Sequence, residues 1–258
     1  MFEVEKMVEQ LLSAEDNHQE LIRFTKDNPD FSIEQGYDLQ NMLIKKRLSQ
    51  SHRIIGMKMG LTSLAKMQQM NVNSPIYGHL LDYMQLDPGV PLIHSELIHP
   101  KAEAEIACVL KKDLQGPDVT AAEAIRAIDY VVPAFEIIDS RYENFDFKLP
   151  DVVADNASSS RFVLGTKPIE PTEIDMRLVG MTFWINGELK ASGAGAAVLG
   201  HPANSLAELA NMLHERDQYL RKGDIILTGG LTAAVALEPG DTVEAKLGQN
   251  DNVCFQVV

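Results

Sequence analysis

The segment from Pro100 to Leu110, Pro-Lys-Ala-Glu-Ala-Glu-Ile-Ala-Cys-Val-Leu, constrains this chain more than any other. Successive side chains of a β-strand point to opposite faces. Ala104, Ile106, Cys108 and Leu110 therefore share one apolar face, and Glu103, Glu105 and Ala107 share the other. An apolar face of that quality packs the strand, which leaves two carboxylates two residues apart on a partly buried surface. Like charges there repel and raise each other's pKa unless a cation lies between them. A divalent metal with oxygen ligands relieves both problems. An ordinary half-exposed strand with a solvated acidic edge has the same pattern, and this segment alone leaves the two readings even.

A second apolar run tips the balance. Val131-Val132-Pro133-Ala134-Phe135-Glu136-Ile137-Ile138-Asp139 reads as a strand with Glu136 enclosed between Phe135 and Ile137. An unpaired carboxylate in such surroundings is costly. Glu103, Glu105 and Glu136 together make an oxygen-rich cation site. It suits magnesium or manganese better than zinc, because no cysteine or histidine stands nearby at ligand spacing.

The earlier strand, Arg53-Ile54-Ile55-Gly56-Met57-Lys58-Met59-Gly60-Leu61-Thr62, carries a lysine among apolar residues. Such a lysine either snorkels at an edge or, if enclosed, is paired with an anion. Upstream, Val4, Met7, Val8, Leu11 and Leu12 recur at helical spacing. Ser32 and Gln35 form a capping box opening a second helix. Residues 63–70 read as a short helix and 71–78 as a loop. Thr120 with Glu123 caps a helix running to about Ala127, Val153 to Arg161 reads as a polar loop before a strand at Phe162-Val163-Leu164, and Asn186-Gly187 marks a hairpin. Ser205 with Glu208 is read as the cap of a later helix, and His201 before Pro202 as a loop or helix-entry residue rather than a ligand. Asp224 to Leu227 forms a strand ending in Thr228-Gly229-Gly230, where backbone can approach a ligand closely. Gly193-Ala194-Gly195-Ala196-Ala197 lacks the spacing of a phosphate-binding loop. The expected fold class is α+β: a mixed β-sheet core with N-terminal and peripheral helices, divided into an N-terminal helical segment, 1–52, and a β-rich catalytic core, 53–258.

A net charge of −14 argues against nucleic acid or an anionic membrane as the main partner. No segment is long and apolar enough to span a bilayer, and the start Met-Phe-Glu-Val-Glu lacks the basic and apolar regions of a signal peptide. Cys108 and Cys254 both fall in strand-like stretches and read as small core residues of a reducing compartment. The expectation is a cytoplasmic protein.

Taken together, Gly56-Met57-Lys58-Met59-Gly60-Leu61-Thr62, Glu103-x-Glu105, Glu136, Ala154-Asp155-Asn156-Ala157-Ser158, Leu199-Gly200-His201-Pro202 and Leu227-Thr228-Gly229-Gly230 resemble the hydratase/decarboxylase branch of the fumarylacetoacetate hydrolase superfamily. The resemblance runs in order from the second helix to the C-terminus. It implies a β-roll core of that family and a magnesium or manganese ion on Glu103, Glu105 and Glu136, chelating the carboxylate and 2-oxo groups of a 2-oxo acid. It places Lys58 in the active site with Ser158 and Asp155, and Leu61, Ile76, Gly229, Gly230 and Thr232 against the substrate. It also implies oligomers, and association of the branch's decarboxylases with the pathway hydratase.

Within the branch, hydratases typically have an aspartate where Asn73-Ser74-Pro75-Ile76-Tyr77-Gly78 has Ile76, and isoleucine cannot handle an incoming water. Residues 193–199 are likewise apolar, and Asp139 to Phe145 resembles the decarboxylases. The resemblance thus implies metal-dependent decarboxylation of 2-oxo-3-hexenedioate. A hydratase or another lyase or hydrolase of the superfamily, and a catalytically idle partner subunit, are the alternatives.

Overall fold

The computed structural model describes residues 4–63, 67, 72, 74–249 and 251–258. The helix expected over 63–70 lies almost wholly outside the described residues. Two helices open the chain, α1 (Val4–Asn17) and α2 (Ile33–Ser49). The predicted capping box of α2 is formed: Ser32 Oγ accepts from Gln35 N while Gln35 Oε1 accepts from Ser32 N.

The described strands make two sheets. The larger has the order β2 (Ile76–Leu81), β1 (Ile54–Gly60), β9 (Ile225–Gly230), β4 (Lys101–Leu110), β5 (Ile128–Ile138), β6 (Ser159–Leu164) and β3 (Gln85–Leu86), with β10 (Val235–Ala236) on β4. The smaller has the order β12 (Asp251–Gln256), β11 (Thr242–Leu247), β7 (Gly180–Ile185), β8 (Glu188–Ala194). Parallel pairing occurs between β1 and β9 and between β3 and β6, and the remaining ladders are antiparallel. The sheet is therefore mixed, as the α+β expectation requires. Three further helices, α3 (Ala121–Ala127), α4 (Leu149–Ala154) and α5 (Pro202–His214), lie between strands.

The alternation along β4 divides the core in two. Ala104, Ile106 and Cys108 join a cluster with Phe135 and Ile137 of β5, Phe183 and Val243 of the smaller sheet, and Leu206 and Leu209 of α5. Ala107, Val132 and Ala134 point the other way, into a cluster with Val8 and Leu11 of α1, Leu39 and Leu43 of α2, and Phe162. The first two helices thus roof the face on which Glu103 and Glu105 stand.

Several local expectations are corrected. The stretch 71–78 is not a loop throughout, because Ile76, Tyr77 and Gly78 already belong to β2 and pair with Gly60, Met59 and Lys58. Residues 153–161 are not a solvated loop: α4 ends at Ala154, and Asn156, Ala157 and Ser158 form a buried turn. His201, not Ser205, caps α5, its Nδ1 accepting from Ala203 N at 2.9 Å. Ser205 is buried one turn into that helix and donates to Thr228 O. Cys108 is buried but Cys254 is exposed on β12, since its pairing places it on the outer face of the smaller sheet.

Candidate metal centre and its cavity

Antiparallel register does what the sequence leaves open. Glu103 of β4 lies directly opposite Glu136 of β5, and directly opposed residues project to the same face. Glu105, two residues on, completes the set. Carboxylate oxygens of Glu103, Glu105 and Glu136 all lie within 4.8 Å of one another. Glu105 and Glu136 are fully buried and Glu103 is half-buried.

Lys58 enters the same pocket of charge from β1. Its ammonium is 2.9 Å from Glu136 Oε1 and donates to Ala157 O at 3.0 Å. The residue is 3% exposed, so the enclosed and paired reading of this lysine holds over the snorkelling one. Burial works against its charge, but the carboxylates of Glu136, Glu103 and Glu105 outweigh that and hold its pKa above the usual range. Burial, then Glu136 and Glu103, push Glu105 well above the usual carboxylate range, and burial pushes Glu136 up despite Lys58.

Among the described residues, the Lys58 ammonium is a single positive charge beside the two fully buried carboxylates of Glu105 and Glu136. Glu105 Oε2 accepts from Gly229 N at 2.8 Å, while Glu105 Oε1 and Glu136 Oε2, both buried, accept no hydrogen bond. Buried anionic oxygens without partners are strongly unfavourable unless a cation is bound. All-oxygen donors of this charge suit a hard divalent cation. The residues present therefore fit the magnesium or manganese that the sequence implies.

Above the carboxylates lies a cavity of ≈120 Å³. Lys58, Leu61, Ile76, Glu103, Ser158 and Gly230, all expected site residues, line it. Gly230 is needed for close approach: a Cβ there meets Glu103 Oε2 at 2.9 Å. The other expected residues stand behind the wall. Gly229 supports Glu105 through its N–H, Thr232 packs its carbonyl under Gly230, and Asp155 is ion-paired with Arg141 Nε in the buried layer below Ser158. Burial pushes the Asp155 carboxyl up to about 7 despite Arg141.

Part of the wall escaped sequence reasoning. Phe145, Phe147, Ile138 and Val152 complete its apolar side. The two phenylalanines come from an irregular segment in which Asn144 and Phe145 have positive φ, so no periodicity marks them. A larger groove of ≈670 Å³ runs between α1 and residues 20–28, but the carboxylate cluster is not among its lining residues.

The chain belongs to the fumarylacetoacetate hydrolase family: the family's model, fumarylacetoacetate hydrolase C-terminal, matches residues 87–258. Among curated relatives, the chain is 45% identical over 240 residues, 93% of its length and 91% of the relative's, to 4-oxalocrotonate decarboxylase of Pseudomonas sp. (strain CF600). It is 42% identical over 219 residues, 85% of its length and 81% of the relative's, to 2-keto-4-pentenoate hydratase of Paraburkholderia xenovorans (strain LB400). The structure of 4-oxalocrotonate decarboxylase from Pseudomonas putida G7, complexed with magnesium and adipate, superposes with a TM-score of 0.96 at 45% identity, covering 99% of this chain and 97% of that one.

Proposed function

We propose that this protein is a divalent-metal-dependent decarboxylase of 2-oxo-3-hexenedioate (4-oxalocrotonate), producing 2-hydroxypenta-2,4-dienoate and carbon dioxide in the meta-cleavage degradation of aromatic compounds. The observation that carries the reading is the pairing of a three-glutamate cluster, two of its members fully buried, with a cavity whose far wall, Ile76 with Phe145, Phe147, Ile138 and Val152, is apolar. The likeness to decarboxylases over nearly the whole chain supports it.

Glu103, Glu105 and Glu136 would hold the cation, magnesium or manganese, which when bound supplies Lewis-acid polarisation of the substrate's 2-oxo group. In the dianionic substrate the distal carboxylate sits on a carbon conjugated through an alkene to the ketone. Breaking the bond to that carboxylate releases carbon dioxide, and the electron pair moves through the alkene onto the 2-oxo oxygen. Lys58, held as an ammonium by Glu136, stabilises the developing oxyanion and gives a proton to that oxygen, forming the dienol. A preorganised donor of this kind contributes on the order of 3 kcal/mol in the transition state. Ser158 stands at the same wall to contact the substrate. The apolar side receives the departing carboxylate, favours neutral carbon dioxide and excludes water, which a hydratase must admit.

The proposal extends to residues 53–258 as the catalytic core, with 1–52 as its helical cover, because the carboxylates, Lys58 and Ser158 all lie in the former. It extends also to a homo-oligomer that associates with the hydratase consuming the dienol, which family resemblance supports, and to a reducing, cytoplasmic setting, which two free cysteines support. Ultraviolet-monitored turnover of 2-oxo-3-hexenedioate and, separately, of 2-hydroxypenta-2,4-dienoate, with and without magnesium, tests the function. Magnesium-dependent loss of the first alone is expected. Consumption of the second instead would make the protein a hydratase.

A further inference from the structure

Residues 155–158 form a fully buried turn, and the proposed chemistry uses only part of it. Asn156, Ala157 and Ser158 have φ of 49°, 52° and 57°, three consecutive left-handed residues that all carry a Cβ. Such a run is sterically unfavourable and persists only where its surroundings fix it. Asp139 N donates to Ser158 O at one end of the turn and Arg141 Nη2 to Asp155 O at the other, and between them the Asn156 side chain ties it to β2. Asn156 Oδ1 accepts from His79 N at 2.7 Å, and Asn156 Nδ2 donates to His79 O at 2.9 Å. The carboxamide thereby occupies the place of a neighbouring strand on β2, the edge strand of the larger sheet.

This pairing sits beside Lys58. Gly78, next to His79 in β2, is the register partner of Lys58. Any Cβ at Gly78 would collide with the Asn156 carbonyl, so the turn lies directly on the backbone opposite the lysine. The following carbonyl, of Ala157, accepts from Lys58 Nζ. An ammonium has three donors. Among the described residues, Ala157 O and Glu136 Oε1 take two, which leaves one for the cavity that Lys58 lines.

We propose that Asn156 is a positioning residue: by anchoring the left-handed turn to β2 it fixes the Ala157 carbonyl, and so the direction in which Lys58 presents its remaining N–H. The proposal rests on the reading of Lys58 as the group facing the 2-oxo oxygen. Asn156 is not among the residues that line the cavity, and it acts through the turn, on Lys58 by way of the Ala157 carbonyl.

Asn156→Ala tests it. Displacement of a catalytic group by about 1 Å costs up to about 100-fold in rate, so kcat for 2-oxo-3-hexenedioate should fall by about that factor. KM and the affinity for Mn²⁺, followed by its electron paramagnetic resonance, should stay within about twofold. Asn156→Asp keeps the acceptor for His79 N but turns a second oxygen toward His79 O, and so should recover at most part of kcat; it also serves if the alanine variant does not fold. A second readout needs no turnover: acetylation of the metal-free protein by acetic anhydride, mapped by mass spectrometry, should modify Lys58 at least about tenfold faster in either variant than in wild type, relative to exposed Lys246. A folded variant with lowered melting temperature but unchanged kcat and unchanged Lys58 labelling would reduce Asn156 to a structural role and overturn the proposal. Absence of turnover in wild type would defeat the decarboxylase reading alone, and the labelling comparison would still decide the role of Asn156.

Discussion

Replacing Glu105 by glutamine should stabilise the metal-free protein and destabilise the metal-loaded protein relative to wild type. Glu105 is fully buried, and of its two oxygens only Oε2 receives a hydrogen bond, from Gly229. The glutamine oxygen keeps that bond, and its amide nitrogen offers a donor to Glu136 Oε2, which has none. Replacing buried ionic groups by neutral ones of similar volume is often stabilising, by about 1–4 kcal/mol. Taking about 2 kcal/mol, and about 2–4 °C per kcal/mol for a chain of this size, the variant should melt roughly 4–8 °C above wild type in excess chelator. Magnesium at about 100 times its Kd returns about 2.7 kcal/mol to wild type by mass action and much less to the variant, which has lost one of three anionic ligands. The order of melting temperatures should therefore invert on adding the metal. Differential scanning calorimetry of both proteins, in chelator and in a magnesium series, measures this. Equal stabilisation of both proteins by magnesium, or a variant less stable in chelator, would refute the assignment of the cluster as a cation site.

Three other outcomes follow from the same geometry. Lys58→Met should lower kcat by about 10²–10³-fold, the loss of one preorganised donor, and should also lower the melting temperature in chelator, because it strips buried Glu136 of its ammonium partner; an active variant in steady-state assays would remove Lys58 from the chemistry. Ile76→Asp puts a charge in the apolar wall and should cut decarboxylation at least about tenfold while admitting water, so gain of hydration of 2-hydroxypenta-2,4-dienoate would support the role of Ile76, and a variant unchanged in both activities would count against it. Burial holds His79, 4% exposed and with Nδ1 unpartnered, down at about 4 against 6.5 in the unfolded chain. Between those values the unfolded state binds the extra proton, so stability falls as pH drops from 6.5 to 4, by about 3 kcal/mol at 1.36 kcal/mol per unit; urea titrations at pH 7 and pH 4 should show a smaller drop for His79→Gln than for wild type.

The carboxylates on β4 were legible because a two-residue period forces Glu103 and Glu105 onto one face whatever the rest of the chain does. Glu136 was legible as an anomaly in an apolar run, but not as the partner of Glu103, since antiparallel register across residues 103–136 is a tertiary fact. Family likeness, not spacing, brought Lys58, Leu61, Ile76, Ser158 and Gly230 to one cavity in advance. The segment 153–161 reads as a polar loop because Asp, Asn and Ser favour exposed loops and buried hydrogen-bonded turns for the same local reasons. Only the burial of Asp155, Asn156 and Ser158 separates the two. The start of α5 was misplaced for a related reason: Ser205 has capping-box spacing to Glu208, yet His201 before Pro202 supplies the acceptor one turn earlier.

The most direct test is to give the magnesium-loaded protein 2-oxo-3-hexenedioate labelled with carbon-13 in the distal carboxylate and to follow the label by nuclear magnetic resonance. The label should appear as carbon dioxide and bicarbonate at the rate at which the dienedioate disappears, with none released in excess chelator. Retention of the label in an organic product while substrate is consumed would contradict decarboxylation at this site.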